Sequence, residues 1–346
     1  MTIRKKILNY LIVTLNGMAL GLFSTLIIGL ILRQIGTYLN IAPLVDVAGV
    51  LASLMGVGIG LGVAFSLKLT GLPLIAGAMA GGIATGIMEA NDPVVAYLAT
   101  IAAIEAVRQI LRKRTPFDII LIPLVSSLVA LVVVLLIGAY VAKGSDLLGQ
   151  FIQDATAYGP FMMGIIIAVV MGMALTSPIS SAAIAIAFSI GGIAGGAAVI
   201  GGVVQMLGFA VMSRKDNSIG AVISIAIGTS MLQFKNILRK PIIWLPPIIV
   251  SAFLGPLSTL LFKIQTDASG AGMGTSGLVG QIATFDVMGY APGVLFSVLI
   301  LHFVLPITLV FGIDILFRKQ GWIVAGDLSL QTYEESNADK PTEKAE

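Results

Sequence analysis

The sequence predicts an all-α polytopic membrane protein, and three observations carry that prediction. Of 346 residues, 57% are hydrophobic and only 11% charged, whereas soluble domains hold about 25% charged residues. So much apolar surface exceeds any core that a soluble chain of this length builds. Charge-free runs recur at 7–32, 47–67, 69–88, 119–142, 241–262 and 287–313, each reaching the roughly 20 residues that cross a bilayer as helix. The runs are continuous rather than alternating, which excludes a transmembrane β-barrel. The lipid bilayer is therefore the first partner the sequence implies.

The elements follow in order. Run 7–32 is too long for the core of a cleaved signal peptide and reads as a retained first helix. Basic residues cluster in IRKK (3–6), RQILRKR (108–114), SRK (213–215), KNILRK (235–240) and FRKQ (317–320). The positive-inside rule makes all five clusters cytoplasmic. An odd number of passes must then return the chain by residue 108; 47–67, 69–88 and 93–107 supply three. Run 117–142 leaves again, and 142–159 reads as an external, amphipathic segment. Residues 213–236 begin and end at cytoplasmic clusters, so a re-entrant hairpin is expected there. Run 241–262 leaves and 287–316 returns. The count is about ten hydrophobic elements, some broken or re-entrant, with both termini cytoplasmic. The membrane domain is expected over 1–326. Residues 327–346 hold six acids and two bases and read as a disordered acidic tail.

The chain also resembles itself. LTGLPLIAGAMAGGIA (69–84) echoes LTSPISSAAIAIAFSIGGIA (175–194), and ILRKRTPFDIILIPLVSSLV (110–129) echoes ILRKPIIWLPPIIVSAFL (237–254). This predicts parallel repeat halves over about 40–142 and 157–263, with the extra length of the second half on the hairpin.

Several stretches interrupt the apolar pattern. Residues 155–213 carry no charge, yet they contain Thr176, Ser177, Pro178, Ser180 and Ser181. Proline lacks an N–H and clashes with the preceding turn. A helix must break there, with Ser177 expected as N-cap and Pro178 in the first turn of the next helix. Backbone freed at membrane depth is tolerated where it is buried in protein or lines a wet cavity. A sugar hydroxyl or an anionic group suits such a helix start; small Ser and Ala residues also allow close helix packing. In the first half, Glu89 and Asn91 precede Asp92-Pro93 at the end of an apolar run. Acids at membrane depth are costly and functional, while an external loop capped by Asp92 is the other reading. Asn217 lies at the hairpin's start. Gln205, Asp286 and His302 are isolated polar residues in apolar sequence. The glycine-rich stretch 267–289 lacks the Lys-Ser/Thr ending of a phosphate loop, so close backbone packing or a re-entrant loop is expected rather than nucleotide binding.

The absence of cysteine and the single histidine exclude thiolate and multi-histidine metal sites. No cofactor or metal is implied. Residues 1–326 hold 18 bases and 11 acids, an excess that belongs at a membrane face and not on nucleic acid.

LTSPISSAAIAIA, QMLGFAVMSRKDNSIG, GTSMLQFKNILRKPIIWLPP, LGPLSTLLFKIQ, GAGMGTSGLVGQ and GWIVAGDL together resemble a bacterial membrane family. It is the phosphotransferase-system (PTS) enzyme IIC-like group, in the branch labelled sugar transporter subunit IIC or toxin regulator. The resemblance implies a plasma-membrane sugar carrier that hands its sugar to a separate IIB protein for phosphorylation, with IIA upstream. The phosphoryl carrier would be a histidine or cysteine of that partner, so this chain would not be catalytic alone. Family members often surround the sugar with a histidine and a glutamate, roles for which His302 and Glu89 are the candidates here. A second copy of the chain is a further candidate partner. The competing function is a solute-sensing membrane regulator without net transport. The expected substrate site comprises Thr176, Ser177, Pro178, Ser180 and Ser181 with Glu89, Asn91, Asn217 and His302.

Overall fold

The computed structural model describes residues 3–87, 92–110 and 115–330. Apart from one isolated bridge between Gly192 and Thr266, the described residues form helices and their connections. The chain opens with α1 (Ile3–Leu22) and α2 (Ile28–Tyr38), joined without a break through a π-turn at Phe23–Ile27. Next come α3 (Ala42–Ser53) and α4 (Met55–Ser66), bent by 54° at Leu54. They are followed by α5 (Leu72–Ile87), α6 (Pro93–Ile110) and α7 (Asp118–Ala155).

The second half contains α8 (Pro160–Thr176), α9 (Ser181–Ala187), α10 (Gly192–Ser213) and α11 (Ile219–Ile223). Then follow α12 (Phe234–Arg239), α13 (Leu245–Pro256), α14 (Ala268–Ala271), α15 (Val279–Met288), α16 (Pro292–Leu299) and α17 (Leu305–Lys319). Six helices among the described residues are long and apolar enough to cross a membrane, or seven if the bent pair is one span. The protein is a multi-pass membrane protein. Its exposed apolar side chains, such as Leu124, Leu128, Leu135 and Phe296, suit contact with lipid rather than water.

Hydrophobic burial does little to drive helices together in lipid, so close backbone contact carries the packing. Gly17 and Gly21 of α1 face Gly62 and Gly58 of α4, while Gly172 of α8 meets Gly201 of α10. A Cβ at Gly21 or Gly201 would overlap the facing backbone. α10 is the most enclosed element, with all but a few residues buried.

Two expectations need correction. The external segment at 142–159 is not separate, since α7 continues as helix through Ala155. No proline or glycine pair stops it, and its last turns bury Ile152 and Ala155 against Ile167, Met171 and Phe188. At 38 residues α7 is about 57 Å long, well beyond a hydrocarbon core of about 30 Å. The second correction concerns the tail, which was placed from residue 327. Leu328 is fully buried and residues up to Leu330 bond to the membrane domain. The boundary therefore moves to Leu330; residues 331–346 lie outside the described residues.

The segment 213–236, expected as a re-entrant hairpin, folds as two short helical legs. Ile219–Gly228 forms one short apolar leg, and Ser230–Gln233 with α12 forms the other. Both legs return to one point, because Asn217 Nδ2 and Gln233 Nε2 each donate to the Leu328 carbonyl, both at 2.8 Å. Three of the basic clusters, at 213–215, 235–240 and 317–320, also converge, through contacts around Asp216, Asp314 and Asp327–Leu328. Tyr10 donates to Glu105, which pairs with Arg108. Arg318 donates to the Met212 carbonyl and pairs with Asp314, as does Arg214, and Lys240 pairs with Asp327 at 2.6 Å.

Candidate functional site

The break at Pro178 organises the site. α8 ends at Thr176, and Ser177 turns extended with φ −79° and ψ 165°. The ring of a proline pushes the preceding residue out of the helical region, which ends α8 with Ser177 as its C-cap; the next helix starts only at Ser181, three residues beyond Pro178. The N-cap is Ser180 instead, whose Oγ accepts from the Ala183 N–H at 3.3 Å. Pro178 lies in the linker rather than in a first helical turn. Ser177, Pro178 and Ser180 stay partly exposed, while Thr176 and Ser181 are buried.

Thr176 sits where four elements meet. Its hydroxyl lies 3.1 Å from Gln205 Oε1 on α10 and 2.8 Å from Ser230 Oγ at the end of the hairpin. Trp244, at the entry to α13, donates its indole N–H to the same Gln205 Oε1 at 3.0 Å. An indole nitrogen can only donate, which fixes the Gln205 amide with its oxygen towards Trp244. Gln205 Nε2 is left buried without a hydrogen-bond partner among the described residues. An unsatisfied buried donor costs about 1–3 kcal/mol, so this nitrogen is primed for a polar acceptor.

The glycine-rich loop closes the other side of α10. Ser181 Oγ donates to the Gly272 carbonyl at 2.7 Å, and a Cβ on Gly272 would run into the Ser181–Ala182 backbone. Gly274, at φ +53°, packs on Gly202. Thr275 donates to the Ala226 carbonyl on the hairpin. The stretch thus serves close backbone packing, as its composition suggests. Farther along, Gln281 Nε2 lies 3.2 Å from His302 Nδ1. His302 is fully buried in a π-turn, Ile300–Val304, a distortion common at functional positions. His302 Nε2 and Gln281 Oε1 have no partner among the described residues.

Of the residues at the break, the structure joins Thr176 to Gln205 and Ser230, and through Gln205 to Trp244; Ser177 bonds to Met173, Ser180 caps α9 and Ser181 bonds to Gly272. His302 belongs to the Gln281 pair, and no contact with the break is seen. Asn217 bonds to Ser213, Leu328 and Leu330 at the hairpin's base. Glu89 and Asn91 lie outside the described residues. Their neighbour Asp92 caps α6, accepting from Val94 N at 2.7 Å, and burial pushes its carboxyl above the ordinary range. Sequence reasoning passed over Trp244 and noted Gln205 only as an isolated polar residue. The signal for Gln205 was a lone amide in a long uncharged run; for Trp244 there was none, because its partner is 39 residues away. At the basic end, outside the spans, Lys235 is buried. Its burial, together with nearby Arg239, lowers its pKa to about 8.

No curated protein and no solved structure matches this chain. A family model described as "Phosphotransferase system, EIIC" matches residues 12–330, spanning both the broken helix and the hairpin. The chain belongs to the phosphotransferase system EIIC family and is a membrane sugar-transport component.

Proposed function

We propose that the chain carries a sugar across the bacterial plasma membrane through a site at the α8–α9 break, for phosphorylation by separate IIA and IIB proteins. The observation that carries this reading is the buried Gln205 amide nitrogen without a partner, beside Thr176, Ser230 and Trp244. A sugar hydroxyl accepts from that N–H and supplies the hydrogen bond it lacks. The part-exposed hydroxyls of Ser177 and Ser180 give further donors and acceptors along the break. Glu89, Asn91, Asn217 and His302 remain lesser candidates for the same solute. Alternating access then follows from movement between the repeat-related halves at about 40–142 and 157–263. In this orientation the basic end and both termini are cytoplasmic, where IIB meets the sugar.

The test uses purified protein in liposomes, with and without phosphorylated IIB, against a panel of sugars. One panel member should enter, and Ser177→Ala should weaken its binding about threefold or more through a lost hydrogen bond. Ser180→Leu should block binding. Uptake unaffected by these variants, in folded protein, would move the site elsewhere. Binding of a sugar without any uptake would turn the reading to a sensor.

A further inference from the structure

We propose that Asp327–Leu330 is a positioning strap that holds the re-entrant hairpin against the sugar site; this rests on the site reading above. The hairpin's first leg is unevenly packed: Ile225 and Gly228 are buried at its far end, but Ile219 and Ile223 are 80% and 52% exposed and no residue of α11 is buried. The α11 half has little burial to hold it and depends on what fixes its base.

One end is fixed at the site, where Ser230 meets Thr176 and the Ala226 carbonyl accepts from Thr275. The other end is fixed by the strap. The Leu328 carbonyl accepts from Asn217 on the first leg and from Gln233 on the second, both at 2.8 Å. Leu330 N donates to Asn217 Oδ1 at 2.6 Å, and Asn236 donates both to Gln233 Oε1 at 2.7 Å and to the Ser329 carbonyl at 3.1 Å. Leu328 N donates to Asp216 at 3.3 Å. Lys240 pairs with Asp327, and the buried Leu328 side chain anchors the turn. Three consecutive backbone positions, Leu328–Leu330, and the Asp327 side chain thus stitch together two legs that lie about 100 residues earlier in the chain. Ser230, between the stitches and the site, is placed by both.

The geometry makes a prediction that a purely local role would not. Gln233→Ala/Asn236→Ala alters only the second leg, yet it cuts the bonds that tie the strap to it. Hydrogen exchange of the first-leg amides 219–228 in the full chain should then accelerate about tenfold or more, with α8 unchanged. In a Trp322→Phe background, where Trp244 is the single indole, its emission should shift as the hairpin loosens beside Gln205. Unchanged exchange and emission in the folded double variant would overturn the strap. If that variant does not fold, Asp327→Asn, which weakens the ion pair and leaves an amide oxygen to accept from the Val324 N–H, should raise the same exchange about threefold, and no change there would equally overturn it. A wild-type chain that carries no sugar would remove the proposed function while leaving the exchange result standing.

Discussion

Gln205 shows how one side chain can set the chemistry of a membrane interior. Its oxygen is doubly used, by Trp244 and Thr176, and its nitrogen is not used at all. Gln205→Leu removes an unsatisfied donor as well as two bonds, so the folded protein should survive with a stability change of no more than about 1–2 kcal/mol. Sugar binding should fall by about tenfold or more. Titration of Trp244 emission with the transported sugar checks the binding, and thermal unfolding of the same sample checks the stability. Lys235 is a second test at this scale. Its folded pKa, about 8, lies below that of an unfolded lysine. Both states are charged below that value, and the burial penalty is then complete. As pH rises from about 8 towards 10.4 the folded state sheds the proton first, so stability increases. Lys235→Met should add about 1–3 kcal/mol at pH 7 and flatten that rise, as read from thermal unfolding across pH.

At the scale of elements, glycine placement decides which helices touch. A Cβ at Gly201 would enter the backbone of Ala168, whereas one at Gly312, in α17, would meet nothing within 4 Å. Gly201→Ala should therefore destabilise by about 1–3 kcal/mol through overpacking. Gly312→Ala should be neutral or stabilise by about 0.5–1 kcal/mol through helix propensity. Paired melting curves in detergent separate the two. The α8–α9 break obeys the same kind of local rule. Pro178 holds Ser177 extended and ends α8, and Ser180 caps α9. The exit from α8 is dictated by proline, and the start of α9 by the first hydroxyl able to reach an N–H three residues on.

For the whole molecule, the convergence of the basic clusters at 213–215, 235–240 and 317–320 supplies a direct check. The chain has no native cysteine, so single introduced cysteines report cleanly. Cysteines at Lys215 and Lys240 should react with a membrane-impermeant reagent from the same side, because both flank a hairpin whose legs meet at Leu328. Labelling from opposite sides would replace the hairpin with a full crossing and require a recount of the passes.

The sequence by itself determined the class of the protein, the positions of its apolar helices, the break at Pro178 and the interruption of the apolar pattern at 213–236. These are legible because they depend on composition, charge bias and the local geometry of proline, all properties of neighbouring residues. Tertiary structure alone decided that Thr176, Gln205, Ser230 and Trp244 form one network, since their partners lie 29, 54 and 39 residues apart in the chain. It also decided that α7 runs on to Ala155 and that Leu328 is core rather than tail. Polar residues carry no local mark of what they will face. In a membrane, where lipid supplies no hydrogen bonds, it is the packing of distant helices that assigns each of them a partner or leaves one without.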